Sequence, residues 1–197
     1  MFQRGNVSVR LLLTGVGSVA TAWHLGRYLA QQTPDWALNA GVAGAFDRSL
    51  ALGDVVQVST ECFGDLGVEE SDGQFTDLFQ LGLLEPSEPP FINGRLYNPG
   101  STQGYFLTAV HGLTVNRVHG YQPSIESIRQ RYPEAQVETM EGAAFFYACR
   151  LANIPFLAIR SISNYVEPRN RAAWQLGPAI EHLNQVLIDI LDSLQPG

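Results

Sequence analysis

A short helix followed at once by a fully apolar strand constrains the fold of this chain more than any other feature. The helix pattern covers residues 142–152 and is rich in small apolar side chains, and the strand is Phe156–Ile159. A continuous apolar run of this length is typical of a strand buried within an α/β sheet. Ligands of open α/β sheets bind beyond the carboxyl ends of the strands. Glu141 before the helix and Asn164 after the strand are therefore predicted to converge on one pocket.

Strand and helix patterns alternate along the rest of the chain as well. This alternation predicts a three-layer α/β/α sandwich with a central mixed sheet, formed as one domain by residues 1–197. The predicted strands are Val7–Thr14, Trp36–Ala40, Asp54–Thr60, Tyr105–Val110, Leu113–Val118 and Phe156–Ile159, and the predicted helices are Ser18–Gln32, Ser124–Tyr132, Gly142–Ala152 and Ala172–Leu194.

Charge and composition narrow the class of partner. The net charge of −7 disfavours nucleic acid, because binding its backbone requires a basic surface. No apolar stretch is long enough to span a membrane, and the N-terminal residues do not resemble a signal peptide. Cys62 and Cys149 lack metal-ligand spacing, and a buried thiol is expected for Cys149. The composition predicts a cytoplasmic enzyme that acts on a small molecule without a metal or redox cofactor.

The glycine turn at Gly15–Ala20 fits the dinucleotide-binding fingerprint G-x-G-x-x-A. Such a site needs an acidic residue at the end of the second strand, about 20 residues further on, to bind the ribose hydroxyls. Asp35 stands before that strand, and the far end of the strand carries Asn39. A dinucleotide site is therefore disfavoured, and a turn that only packs the first helix against the first strand is an open alternative.

Four short motifs follow one another along the chain. They are Thr14–Gly17, Asn39–Gly44 with Leu52–Val56, Met140–Glu141, and Arg160–Asn164. Together they resemble the motifs of the nucleoside phosphorylase and nucleosidase superfamily, which includes the methylthioadenosine nucleosidases. The resemblance extends over roughly residues 7–195, and the variants at 141–149 and 162–167 most resemble the futalosine hydrolases.

This resemblance implies an N-ribosyl hydrolase that acts on a purine nucleoside. It implies that Glu141 orients the ribose hydroxyls and that Asn164 holds the departing base. A local role, as a charge at a helix N-terminus or as a loop cap, is the alternative for each. The other residues that the resemblance places around the substrate are Thr14, Gly15, Gly17, Ala43, Gly44, Val118, His119, Thr139, Met140 and Ser163.

Asn164 stands where the adenine-specific members of the family have Asp. Adenine presents a donor at its 6-amino group and an acceptor at N7, which a protonated Asp can match. A 6-oxopurine presents acceptors at both O6 and N7, and the two N–H donors of an Asn amide match these instead. The substitution therefore predicts a 6-oxopurine nucleoside, which for the futalosine hydrolases means futalosine with hypoxanthine as the released base.

Cationic side chains near these motifs are few. A phosphorylase needs positive charge around its phosphate, and no Arg or Lys follows the Thr14–Gly17 turn until Arg27. Hydrolysis is therefore favoured over the alternative of a purine nucleoside phosphorylase. Arg160, four residues before Asn164, is expected to pair with a carboxylate, either at the site or as a structural ion pair.

One part of the family pattern has no counterpart in this sequence. The family begins with a strand and a loop whose Glu activates the attacking water, whereas six residues precede the first matched strand here. The resemblance therefore implies that the family's N-terminal strand is missing, either because the true start lies upstream or because the chain lacks that base. In the second case Glu61, Asp65 or Glu69 can substitute, or the protein binds nucleosides without cleaving them.

Residues 64–104 interrupt the alternation, because Gly, Pro, Glu, Asp and Asn dominate there. So long a connection predicts either a functional excursion or a partly disordered insert. Since related nucleosidases are dimers, the excess of apolar side chains in and beside it predicts a homo-oligomer, a dimer or a dimer of dimers, with part of the excursion at the interface. These side chains are Phe63, Phe75, Phe79, Leu81, Leu83, Leu84 and Phe91.

Overall fold

A computed structural model describes residues 2–5, 7–100 and 107–194. The strands are β1 (Phe2–Arg4), β2 (Val7–Val9), β3 (Ala37–Ala45), β4 (Val55–Phe63), β5 (Gly67–Glu69), β6 (Phe75–Asp77), β7 (Leu96–Tyr97), β8 (Ala109–Thr114), β9 (Val137–Thr139) and β10 (Phe156–Tyr165). The helices are α1 (Ser18–Leu29), α2 (Gln122–Arg131), α3 (Gly142–Leu151) and α4 (Leu176–Ser193), with a 3₁₀ turn at Arg171–Ala173.

Six strands form the central sheet, in the order β10-β3-β9-β8-β4-β7. The sheet is mixed, since β3 runs parallel to β10 and antiparallel to β9, while β4 runs parallel to β8. β10 also pairs with β4, so that five of the strands close into a ring. Helices α3 and α4 pack on the strands, and α1 packs against α3. The prediction of a mixed sheet flanked by helices is confirmed.

Strand β10 is longer than the apolar run that predicted it. It continues through the polar residues Arg160–Asn164 because it pairs along this length with β3, from Phe156 opposite Ala37 to Tyr165 opposite Ala45. A register shift lies between Ile162 and Asn164. The polar side chains become buried through this pairing, a burial that their own sequence pattern does not reveal.

Other predicted boundaries were also wrong. The first strand ends at Val9 instead of Thr14, and Leu11 and Leu13 are 70% and 79% exposed. The two strands predicted around His111 are one strand, β8, although Tyr105 and Phe106 lie outside the described residues. Strand β9 was missed because its three residues are too few to show an alternating pattern.

The excursion at 64–104 folds in part onto the sheet. A short hairpin of β5 and β6 extends from it, and β7 pairs with the outer edge of β4. Phe91 and Leu96 are buried, and the Phe91 ring packs edge-on against Phe79 with their centroids 5.3 Å apart. It stays a prediction that part of the 64–104 excursion lies at an oligomer interface, and the organisation of the chain as one domain stays a prediction as well.

None of the helices in the described ranges is both long enough and apolar enough to cross a membrane.

Candidate active site

The ends of three neighbouring strands bring the predicted motifs together. Gly44 on β3 lies opposite Asn164 on one side and opposite Glu138 of β9 on the other. Met140 and Glu141 directly follow β9 and precede α3. Glu141 and Asn164 therefore lie at the same edge of the sheet.

The glycine turn before α1 lies against Glu141. The Gly17 amide donates a hydrogen bond to Oε1 of Glu141 over 2.8 Å, and the Ser18 hydroxyl donates to the Met140 carbonyl over 3.2 Å. Gly15 and Gly17 have φ values of +81° and +89°, which residues with a Cβ rarely adopt. The turn is thus shaped to present an amide to a carboxylate. A dinucleotide pyrophosphate there would meet the negative charge of Glu141, so the geometry disfavours the dinucleotide alternative.

A cavity opens where β10 ends, and four of the predicted binding residues line it. These are Gly44, Val118, His119 and Asn164, and the further lining residues are Glu138, Tyr165, Glu167, Arg169, Asn170 and Trp174. Tyr165 is the last residue of β10, and the additional lining residues from 167 onward come after it, whereas the predicted strand ended at Ile159. Their position just beyond the carboxyl end of a buried strand is the signal that would have found them.

The other predicted residues lie outside the lining of this cavity. Thr14, Gly15 and Gly17 form the turn that faces Glu141, and Met140 is half-buried beside it. Ala43, Thr139 and Ser163 are buried in the strands beneath the site. The structure therefore separates the predicted set into a group around Glu141, a group around Asn164 and a buried layer below.

The Asn164 side chain is held by its neighbours in the chain. Its Oδ1 accepts a hydrogen bond from the Ser163 hydroxyl over 2.9 Å, and its Nδ2 donates to the Tyr165 carbonyl over 3.0 Å. A Cβ at position 44 would lie 3.1 Å from Nδ2, so glycine there leaves room for the amide. Because one amide hydrogen is engaged, one N–H of Asn164 remains for a ligand in this arrangement.

His119 is fixed by Glu138, a residue that the sequence did not single out. Glu138 accepts hydrogen bonds from the His119 amide over 3.0 Å and from its ring Nδ1 over 2.5 Å. With Nδ1 donating to the carboxylate, Nε2 of the neutral ring is an acceptor. Glu138 was missed because β9, the strand that carries it, was missed.

The three carboxylates considered as substitutes for the water-activating Glu differ in burial. Glu69 is exposed, and Asp65 binds the Asn116 amide at the surface over 2.6 Å. Glu61 is fully buried and accepts a hydrogen bond from the Thr114 hydroxyl over 2.8 Å. Burial raises the pKa of Glu61 to about 7, an effect that Arg160 opposes.

Arg160 is buried beside this carboxyl and satisfied by backbone and amide oxygens. Its guanidinium donates to the Ile159 carbonyl over 2.8 Å and to both the side-chain and backbone oxygens of Asn39. Burial lowers the pKa of Arg160, whereas the nearby Glu61 and Glu141 raise it. The expected pairing of Arg160 with a carboxylate is not found among the contacts of the described residues, and Glu61 and Glu141 act on Arg160 only through their charge.

Nearly the whole chain matches known proteins of one family. The model of the phosphorylase superfamily matches residues 1–193. This chain belongs to the phosphorylase superfamily. Its relatives include the futalosine hydrolase of Streptomyces coelicolor, 32% identical over 94% of this chain and 81% of that protein. The futalosine hydrolase of Thermus thermophilus is also 32% identical, over 91% of this chain and 80% of its own length.

Nucleosidases of the superfamily are similar as well. The 5′-methylthioadenosine/S-adenosylhomocysteine nucleosidase of Haemophilus ducreyi is 28% identical over 95% of this chain and 82% of that protein. The corresponding Neisseria meningitidis enzyme, solved with methylthio-immucillin-A, shares the fold with a TM-score of 0.75 at 22% identity, over 92% of this chain and 80% of that one. The prediction of a nucleosidase-type N-glycosyl hydrolase is confirmed by these relatives.

The buried Glu61 makes stability depend on pH. In the unfolded chain its carboxyl ionises near the ordinary value of 4.5, whereas the folded chain holds the proton until about pH 7. The protonated Glu61 carboxyl contributes its full stabilisation of the folded state below pH 4.5. As the pH rises to about 7 this contribution to the free energy of unfolding is lost, a decrease on the order of 3 kcal/mol. We expect Glu61→Gln to flatten this decline, measured as the free energy of unfolding in urea between pH 4.5 and 8.

The exposed Glu181→Gln on α4 is the control for this measurement, and it should keep the pH dependence of the unsubstituted protein. An unchanged pH dependence in Glu61→Gln would contradict the interpretation.

Proposed function

We propose that this chain hydrolyses the N-ribosidic bond of futalosine and releases hypoxanthine, a step of menaquinone biosynthesis. Three relatives named futalosine hydrolase, each 32% identical to this chain, support the proposal. The observation that carries it is the Asn164 amide at the cavity wall, where a free N–H can donate to an acceptor of a 6-oxopurine. An Asn, unlike a protonated Asp, offers a donor without having to hold a proton in the site.

Glu141 is the residue we assign to the ribose. Its Oε1 already accepts the Gly17 amide, which orients the carboxylate and leaves Oε2 for the sugar hydroxyls. Breaking the N-ribosidic bond builds positive charge on the sugar in an oxocarbenium-like transition state. A fixed carboxylate on the ribose hydroxyls becomes more favourable as that charge develops, so the interaction accelerates the reaction instead of only binding the substrate.

His119 offers a second polar group, after Asn164, that could contact the purine base of the substrate. Its ring is held at Nδ1 by Glu138, so Nε2 is available as an acceptor when the ring is neutral and as a donor when it is protonated. A purine between Asn164 and His119 would thus meet polar atoms from β10 and from the segment before α2. We assign Asn164 to stabilising the departing base at N7 or O6.

Water is the nucleophile we favour. The Gly17 amide, an anion-binding group in many glycine turns, is used here by Glu141. A phosphate at that turn would lie beside a carboxylate, and repulsion between the two anions would oppose its binding.

A second candidate is the hydrolysis of methylthioadenosine or S-adenosylhomocysteine. It is supported by the Haemophilus ducreyi relative, 28% identical to this chain. Rotation of the Asn164 amide would present its oxygen to the 6-amino group of adenine, at the loss of the hydrogen bonds to Ser163 and Tyr165. The two candidates therefore differ in the base that is released.

Incubation of the purified chain with futalosine, inosine and methylthioadenosine, with and without phosphate, tests the proposed function. We expect hypoxanthine from futalosine, with a free ribosyl product whether or not phosphate is present, measured by chromatography. Release of adenine alone would favour the second candidate. Turnover that requires phosphate would contradict hydrolysis and place the chain with the phosphorylases.

We expect Glu141→Gln to lower kcat by about 10²- to 10³-fold, because the neutral amide loses its interaction with the positively charged sugar in the transition state. The measurement is steady-state hydrolysis of futalosine, with the melting temperature recorded in parallel. The exposed Glu181→Gln on α4 is the charge-matched control. Turnover at the level of the unsubstituted protein would exclude Glu141 from the ribose site.

The choice of base is tested by Asn164→Asp. We expect the unsubstituted protein to prefer futalosine over its 6-amino analogue, because an N–H facing the 6-amino group leaves two donors opposed. The Asp variant should weaken or reverse this preference, measured as the ratio of kcat/KM for the two compounds. Asn153→Asp, exposed at the end of α3, is the matched control. An equal ratio in all three proteins would show that Asn164 does not select the base.

A further inference from the structure

Glu61 occupies an interior space that two glycines leave open. It lies on β4 between Gly112 of β8 and Gly142, the first residue of α3. A Cβ at either glycine would overlap the Glu61 carboxyl group. The carboxyl is therefore packed directly beneath the start of the helix that follows Glu141, with no exposed surface of its own.

Two threonines connect the Glu61 carboxylate to the first amides of α3. Thr114 donates to Oε2 over 2.8 Å and accepts the Ala143 amide over 2.7 Å. Thr139 donates to Oε1 over 3.5 Å and accepts the Gly142 amide over 3.3 Å. The two hydroxyl oxygens also lie 3.2 Å apart, where either could donate to the other. Each hydroxyl has one proton, and in the arrangement in which both are donated to Glu61 the carboxylate fixes both in one direction.

The hydrogen bonds from Glu61 through the two threonines to α3 form a relay that ends next to Glu141, the residue assigned to the ribose. The first amides of a helix lack partners within the helix, so the threonine hydroxyls determine where the first turn of α3 is held. Glu141 immediately precedes that turn and is oriented on its other side by the Gly17 amide. Because Glu61 is wholly buried, it cannot touch a nucleoside and can act only through these neighbours.

We propose that Glu61 is a positioning residue for Glu141. The Glu61 carboxylate holds the hydroxyls of Thr114 and Thr139, and these hydroxyls hold the first amides of α3. The start of α3 in turn keeps the Glu141 side chain in the position where it binds the ribose. The proposal rests on the proposed function for the role of Glu141, while the relay itself does not depend on the identity of the substrate.

The ionised carboxylate and the protonated acid differ as partners of the threonines. The carboxylate accepts from both hydroxyls, whereas the acid must donate its own proton to one of them, which then has to turn away. The positive charge of Arg160 on β10 favours the ionised form of Glu61, and the negative charge of Glu141 disfavours it. From β8 and β9 the groups that face Glu61 are the uncharged side chains of Thr114 and Thr139. Cys62, the next residue on β4, stays a neutral thiol because burial raises its pKa to about 12.

The test is Glu61→Gln, which keeps the shape of the side chain but leaves one threonine without its acceptor. We expect kcat/KM to fall by about 10- to 100-fold, mostly through kcat, because small errors in the placement of a reacting group are costly. The unsubstituted protein should lose activity as Glu61 is protonated below about pH 7, and the variant should lack this step. Ser59→Ala, on the same strand but outside the relay, should keep the activity and the pH profile.

A double-mutant cycle separates positioning from a general effect on folding. If Glu61 acts through the relay, Glu61→Gln and Thr114→Val should be non-additive in kcat/KM, at temperatures where both variants are fully folded. Strict additivity, or an activity and pH profile equal to those of the unsubstituted protein, would overturn the proposal.

Amide exchange provides a readout without any substrate. In Glu61→Gln, hydrogen exchange at Gly142 and Ala143 measured by NMR should be faster than in the unsubstituted protein, and unchanged exchange would overturn the relay. If the chain cleaves none of the nucleosides tested, the proposed function fails on its own, and this measurement still decides whether Glu61 holds the helix start.

Discussion

The pairing of β10 with β3 is the interaction on which the rest of the structure depends. These parallel strands pair over nearly their whole length, and β10 also pairs with β4 to close the ring. The pairing supplies backbone partners to a strand that carries Arg160 and Ser163 as well as apolar residues. Near its end it sets Asn164 beside Gly44, where a Cβ would crowd the amide at 3.1 Å from its Nδ2. The cavity forms at that point because the strand ends there and the chain turns away.

Buried charge is the second determinant of the site. Glu61 and Arg160 lie in the interior, where each is costly to ionise, and Glu141 adds a further negative charge nearby. Ionised Glu61 is the better acceptor for the threonine relay, but it is also the form that destabilises the fold. Stability and positioning therefore oppose each other at this residue, as they often do where a site must hold a reactive geometry.

Much of the fold and part of the site were predictable from local patterns. The alternation of helices and strands, the mixed sheet and the family follow from patterns and motifs that are visible in the sequence. Strand β9 was not predictable, because three residues cannot show a period, and with it Glu138 was missed. The residues after β10 were also missed, since their place at the cavity depends on where the strand ends.

The sequence by itself determined the superfamily, the carboxylate at the start of α3 and the amide at the end of β10, because each is a residue type at a fixed position within a motif. Only the tertiary structure decided which side chains meet across the sheet. It buried Glu61 beneath α3, paired His119 with Glu138 and turned one Asn164 donor toward Tyr165. These contacts join residues that are distant in the chain or depend on backbone direction. Strand pairing and exclusion of water fix them, and neither is expressed in a local pattern.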